Sequence, residues 1–130
     1  MLNIFRFVVC VFVVGVVRVG ARAVEDEITA SYGTTEASVF EIDPIVVCGW
    51  PLTDFEGYIY LKELSGNDVN VRVVSVVGSI EVDEVSLSPM TANSSKSVVI
   101  SKPVKHRVYV SSSAEGSIVI AYRVICYGGG

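Results

Sequence analysis

Apolar and polar residues alternate with a period of two along much of the chain after Ala23. The alternation is clearest in SIVIAYRVIC near the C-terminus, where apolar residues occupy every second position. This period is typical of strands with one buried face, and the runs are rich in the β-branched and aromatic residues that strands favour. Helix signals are nearly absent. The pattern predicts strands at Ser38–Ile42, Ile45–Trp50, Gly57–Leu64, Val69–Val77, Ile80–Leu87, Ser97–Ser101, Arg107–Ser112 and Ser117–Cys126.

Turn residues separate these runs and predict how the strands are arranged. Gly, Ser, Asn, Asp and Pro mark the breaks at Ser65–Asp68, Gly78, Pro89 and Gly116. About eight short strands at this spacing predict an all-β fold, an antiparallel β-sandwich in one domain that covers residues 37–127.

Three segments depart from simple alternation. In VNVRVVSVV (Val69–Val77) the alternation is lost after Val73, which indicates a bulge or burial on both faces. Residues 24–36, VEDEITASYGTTE, are acidic and weakly periodic, and we predict a mobile N-terminal arm or a poor first strand. Residues 128–130 are glycines and are predicted to form a flexible tail.

Residues 1–23 have the pattern of a secretory signal peptide. Arg6 precedes an apolar run, Phe7–Val17, and the small residues Ala21 and Ala23 provide a cleavage site before Val24. The run is shorter than the about 20 residues that span a bilayer. An uncleaved anchor is the alternative. Cleavage predicts a secreted, extracellular protein without a stable membrane span.

The charge of the predicted mature chain restricts its partners. Removal of residues 1–23 leaves seven basic against 14 acidic residues, a net charge of −7. Nucleic-acid binding depends on clustered Lys and Arg, so no nucleic-acid partner is expected. Cationic partners or calcium suit this charge, although it also serves solubility alone. No cofactor and no metal site are predicted, and no residue set supports calcium.

Two cysteines remain after removal of the signal peptide, which contains Cys10. An even pair in an oxidising compartment most often forms a disulfide, so we predict a bond between Cys48 and Cys126. The chain-entropy model gives closure of so long a loop about 4.5 kcal/mol.

The sequence contains no recognisable catalytic set. His106 lies between Lys105 and Arg107, and we interpret it as a solvated residue. A hydrolase that uses two carboxylates needs only an acid pair, which leaves a small secreted hydrolase as the third and weakest hypothesis. The candidate acid pairs are Glu41 with Asp43 and Asp54 with Glu56.

The segment CGWPLTDFEGYIYLKEL carries half of the aromatic residues of the predicted domain, crowded beside Cys48. Trp50 is interpreted as a core residue beside the disulfide. If Ile59 and Leu61 face the core, then Tyr58, Tyr60 and Lys62 face outward together, and paired tyrosines are good contact anchors. The opposite register would bury the tyrosines. The predicted binding site consists of Tyr58, Tyr60, Lys62, Asn67 and Asp68.

Asn93 begins the glycosylation sequon NSS in a polar stretch. We predict that the stretch tolerates a glycan there, and an unused sequon is the alternative.

Two segments resemble CUB domains. VCGWPLTDFEGYIYLKEL is similar to the early part of that domain, and HRVYVSSSAEGSIVIAYRVI to its end. The cysteine normally found upstream of the one matched by Cys48 is missing, as is the internal pair. The resemblance implies a jelly-roll sandwich and extracellular protein or carbohydrate recognition.

The leading functional hypothesis is therefore a secreted interaction module for a protein or glycan, without enzymatic activity. The alternative is a self-associating component of an extracellular coat or matrix, in which strands pair between chains.

Overall fold

The computed structural model describes residues 21–49 and 54–127, which form eight strands and one short helix. In chain order they are β1 (Arg22–Tyr32), β2 (Ala37–Ile42), α1 (Pro44–Cys48), β3 (Asp54–Glu63), β4 (Val69–Val77), β5 (Ile80–Met90), β6 (Ser95–Ile100), β7 (Lys105–Ser112) and β8 (Gly116–Tyr127). No helix of the described residues is long and apolar enough to cross a membrane.

The strands form two antiparallel sheets of four. Sheet A has the order β1-β8-β3-β6, and sheet B has the order β2-β7-β4-β5. Neighbours in each sheet mostly come from distant parts of the chain, so the connections cross repeatedly between the sheets. This is the double Greek key of a jelly roll. The predicted all-β antiparallel sandwich is confirmed.

The core lies between the two sheets and is mainly aliphatic. Alternate residues of each strand fill it, as the period of two requires. Buried members from both sheets include Ile59, Leu61, Val71, Val73, Val108, Val110, Ile118, Ile120 and Val124.

The acidic segment after Ala23 is a regular strand in the structure. β1 pairs with β8 without a register shift from Arg22 to Tyr32, so 24–32 belong to sheet A rather than to a mobile arm. Its weak alternation has a physical reason: β1 is an edge strand, and most of its residues are exposed. Cleavage before Val24 stays a prediction and would leave Val24–Tyr32 of this strand. Residues 1–20 and 128–130 lie outside the described residues.

The predicted strand Ile45–Trp50 is wrong, because Pro44–Cys48 forms α1. Asp43 caps this helix: its Oδ1 accepts the N–H of Ile45 at 3.1 Å, and Pro44 supplies the fixed φ of a first helical residue. Gly49 ends the helix with φ of 89°, a conformation that suits glycine. Trp50, predicted to be a core residue, lies outside the described residues.

The disulfide between Cys48 and Cys126 is confirmed. It joins the last residue of α1, rather than a strand, to the end of β8, with Cα atoms 5.6 Å apart. The predicted irregularity of β4 is also confirmed. The register against β5 shifts between Val73 and Val74, and Val74 is fully buried although it follows an inward residue.

Candidate functional site

Strand β3 turns the predicted tyrosines outward. Ile59 and Leu61 are 0% and 1% exposed, which sets the opposite face of the strand toward solvent. Tyr60 is 40% exposed, Tyr58 is half-buried and Lys62 is exposed. The two tyrosine rings stack with centroids 6.3 Å apart and planes inclined by 22°. The predicted register of these residues is confirmed, and their role in binding stays a prediction.

The neighbouring strands complete an apolar patch around these rings. Val99 of β6 lies directly across from Tyr58 and is 66% exposed, and Ala121 of β8 lies across from Tyr60. The short side chain of Ala121 leaves room beside Tyr60, which lines a shallow depression of about 450 Å³. We call Tyr58, Tyr60, Val99 and Ala121 the tyrosine patch.

Charged side chains surround the tyrosine patch. Glu27 and Lys62 line the depression from the outer face, and Lys96 of β6, which lies across from the inward Leu61, also borders it. On the other side of the patch, Arg123 Nε lies 3.2 Å from Glu25 Oε2. A central apolar area inside a polar rim is the usual composition of a binding surface.

Asn67 and Asp68, predicted to belong to the binding site, lie in the β3–β4 loop, and neither lines the depression. Asn67 Nδ2 donates to the Tyr32 hydroxyl at 3.0 Å and to the carbonyl of Glu115 at 3.1 Å. Asp68 Oδ1 accepts the N–H of Ala92 at 2.8 Å. The structure therefore uses both residues to hold loops together.

These loops meet around Glu63, a residue that the sequence interpretation missed. Glu63 is 1% exposed and accepts the Tyr32 hydroxyl at 2.6 Å. Its carboxylate also accepts backbone N–H groups from Ser65, Gly66, Asn67 and Asn93 at 2.8–3.1 Å. A detectable signal existed, because alternation from Ile59 and Leu61 places Glu63 on the inward face.

The environment of Glu63 keeps it ionised. Burial on its own raises the pKa of a carboxyl group, but the hydrogen bonds from Tyr32 and the backbone outweigh it and lower the pKa of Glu63 to about 2. Burial and the same hydrogen bond raise the pKa of the Tyr32 hydroxyl. The Glu63 cluster is a structural centre that joins the end of β1 to the β3–β4 and β5–β6 loops.

The outer face of sheet B is covered by paired charges. Arg72 contacts Glu36 at 3.0 Å and Asp83 at 2.7 Å, and its guanidinium lies 4.6 Å from the centre of the Tyr109 ring. In a second ion-pair cluster, Arg107 contacts Glu41 at 3.0 Å and Glu81 at 2.8 Å. The hydrogen bond from Arg107 is the main cause that lowers the pKa of Glu41. The hydrogen bond from Tyr109 is the main cause that lowers the pKa of Glu81. The charges of this face thus satisfy one another.

The interpretation of His106 as a solvated residue is wrong. His106 is 2% exposed, and its Nδ1 lies 2.7 Å from the carbonyl oxygen of Val104. Strand β7 begins at Lys105 rather than at Arg107, so His106 shares the inward face with Val108. Burial is the main cause that lowers the pKa of the imidazole.

Both candidate acid pairs have structural partners. Glu41 binds Arg107, and Asp43 caps α1. Asp54 accepts the N–H of Phe55 at 2.8 Å, and Glu56 accepts the Tyr127 hydroxyl at 2.7 Å. Among the residues that the structure describes, no three His, Cys, Asp or Glu side chains are grouped as metal ligands would be.

Asn93 lies at an exposed turn. The N–H of Ser94 donates to the carbonyl of Thr91 at 3.1 Å, and Asn93 has φ of 57°, which asparagine tolerates better than most residues. Glycosylation of this residue stays a prediction.

No protein-family model matches the chain, and no curated protein matches it significantly. Among solved structures, PirA aligns with a TM-score of 0.52 and 9% identity over 75% of this chain and 92% of PirA. A chain from the Bacillus endospore appendages, a family of disulfide-linked pili, aligns with a TM-score of 0.49 and 16% identity over 83% of this chain and 91% of that chain. A triple jelly-roll protein from an archaeal virus aligns with a TM-score of 0.48 and 11% identity over 82% of this chain and 29% of that chain. At these identities the similarity concerns the fold alone.

Proposed function

We propose that this chain is an extracellular interaction module that binds a protein or glycan partner through the tyrosine patch. One observation carries the proposal: the two outer faces of the sandwich differ. Charge pairs occupy the outer face of sheet B, and the exposed apolar residues of that sheet, Val77, Ile80 and Val82, lie near the β4–β5 turn. Sheet A instead presents Tyr60 and Val99, 40% and 66% exposed, beside a depression. Tyrosine offers a large contact area at low entropic cost, which favours recognition.

The extracellular location is supported by the intramolecular disulfide, since such bonds persist in oxidising compartments. The predicted signal peptide and the exposed sequon at Asn93 agree with it. The CUB resemblance stays a prediction. The Greek-key sandwich is consistent with it, and the family would imply the same kind of extracellular recognition.

Truncation of the patch tests the proposal. The wild-type protein is applied to a glycan array and to an array of extracellular protein domains, and each ligand found is titrated against Tyr60→Ala and Val99→Ala. We expect about 10- to 100-fold weaker binding for Tyr60→Ala, since anchor tyrosines contribute about 2 kcal/mol or more. The melting temperature should stay near that of the wild type because Tyr60 is exposed.

Val82→Ala is the matched control for Val99→Ala. Val82 is an exposed valine at 44%, but it lies in the edge strand of the other sheet. Its substitution should leave binding unchanged. A ligand that binds Tyr60→Ala and Val99→Ala as tightly as the wild type would contradict the proposal.

A second candidate function is a self-associating structural component of an extracellular coat or matrix. It is favoured by the regular, unpaired edges of sheet A. β1 pairs only with β8 and β6 only with β3 among the described strands, and neither pairing has a register shift.

A further inference from the structure

The four edge strands of the sandwich differ in how well they could accept another strand. In sheet B, β2 shifts register against β7, and β5 shifts register against β4 twice and contains Pro89. Bulges and proline at an edge discourage pairing between molecules. In sheet A, β1 and β6 are regular and contain no proline. The pairing-competent edges therefore belong to sheet A.

Each edge of sheet A carries one charged residue on its core-facing side that has no ion-pair or carbonyl partner within the described part of the chain. The other core-facing charge of β1, Arg22, lies across from Cys126 and donates to the carbonyls of Val47 and Cys48. Asp26 of β1 lies across from Tyr122, and Tyr122 lies across from the buried Ile59. Cross-strand partners share a face of the sheet, so Asp26 faces the core side and not the outer side. Burial and the Asp26 charge raise the pKa of Tyr122, in agreement with this placement.

Lys96 has the equivalent position at the opposite edge. It lies across from Leu61, which is 1% exposed. Both Asp26 and Lys96 are exposed themselves, and neither has an ion-pair partner among the described residues. An inward-facing charge on an edge strand blocks pairing with an apolar or like-charged strand, but it favours a strand of opposite charge.

The strand directions make such a pairing geometrically simple. Sheet A has an even number of strands that alternate in direction, so a copy displaced sideways places its β1 antiparallel to β6 of the first copy. Pairing β1 with β1 would oppose Asp26 carboxylates, and pairing β6 with β6 would oppose Lys96 ammonium groups. Because Arg22 is held by the carbonyls of α1, the charges left to pair are Asp26 and Lys96, and the heterologous arrangement is the one that joins them. It also leaves a free edge for the next copy.

We propose that copies of this chain associate head to tail through sheet A, with β6 of one copy beside β1 of the next and Lys96 near Asp26. The proposal develops the second candidate function and does not depend on ligand binding by the tyrosine patch. Within sheet A, the cross-strand row of residues that contains Asp26 is adjacent to the row that contains Lys96. A register that places the two residues directly opposite or diagonal across the joined edges therefore keeps their charges within reach of each other.

A charge-swap experiment on the purified protein tests the proposal by sedimentation velocity over a concentration series. The wild type should form oligomers whose size grows with concentration. Asp26→Lys and Lys96→Asp should each weaken association at least about tenfold, because like charges then meet at the joined edges. An equimolar mixture of the two variants, and the double variant Asp26→Lys/Lys96→Asp, should restore it.

Glu27→Lys is the matched control. It changes the charge of the same strand by the same amount, but Glu27 faces the outer side, across from Ala121. It should keep most of the association. Wild-type protein that stays monomeric at every concentration would overturn both self-association and the edge assignment. The edge assignment alone would be overturned if both single variants associated like the wild type, or if the charge swap did not restore association. It would also be overturned if Glu27→Lys weakened association as much as Asp26→Lys does.

Discussion

Glu63 is a buried carboxylate that organises two loops, and it has no ion-pair partner among the residues that the structure describes. Its oxygen atoms accept the Tyr32 hydroxyl and four backbone N–H groups from two loops. Each of these donors would lose its partner if the carboxylate were removed, and a buried donor without a partner costs about 1–3 kcal/mol.

We predict that Glu63→Gln lowers the free energy of unfolding at pH 7 by about 2–3 kcal/mol, because the neutral amide accepts fewer hydrogen bonds. The folded-state pKa of Glu63, about 2, lies below the unfolded value, so its contribution is complete above the unfolded pKa and is lost as the pH falls towards 2. The difference between wild type and variant in the free energy of unfolding, measured with urea, should therefore shrink from pH 5 to pH 2.

Glu115 is an exposed acid in the β7–β8 loop, and Glu115→Gln is the control. It should leave the free energy of unfolding unchanged at every pH. A difference independent of pH would contradict this role for the charge.

At the level of elements, α1 depends on its first residues more than on its apolar ones. The segment PIVVC contains β-branched residues that favour strands, yet it forms a helix because Asp43 accepts the N–H of Ile45 and Pro44 begins the first turn. The helix brings Cys48 to β8.

We expect Asp43→Ala to lower the free energy of unfolding by about 1 kcal/mol, the usual contribution of a helix N-cap. Asp43→Asn, which keeps a side-chain oxygen at the same position, should lose only a few tenths. Thermal unfolding of both variants provides the measurement. Equal losses would show that the charge of Asp43, rather than its capping bond, stabilises this segment.

For the molecule as a whole, the disulfide joins two segments that are separated by 78 residues in sequence. The closed loop contains most of both sheets, so the bond restricts nearly the entire unfolded domain. Replacement of both cysteines by alanine should cost about 2–5 kcal/mol in unfolding free energy, with the chain-entropy value near the upper end. Urea unfolding of the double variant and of the reduced wild type should agree within about 1 kcal/mol. A loss below about 1 kcal/mol would contradict the chain-entropy account.

The features that follow from the two-residue period could be predicted from the amino-acid sequence. Alternation around Ile59 and Leu61 predicted that Tyr58 and Tyr60 face outward, because side-chain direction in a strand depends only on position. The valine-rich run between two turn segments predicted the bounds of β4. Composition predicted the sandwich, and the even cysteine count predicted the disulfide. Where alternation was weak, as in the exposed edge strand β1, or where capping outweighed strand propensity, as in α1, the prediction was incomplete or wrong.

Which distant residues meet depends on the folded chain. Tyr32, Glu63 and Asn93 come from three separate segments, and nothing local to any of them predicts that they share one hydrogen-bonded cluster. The pairing of charges over sheet B and the opposite inward charges at the two edges of sheet A likewise depend on strand order. Strand order is set by long-range pairing in the folded chain, which leaves no periodic pattern in the sequence.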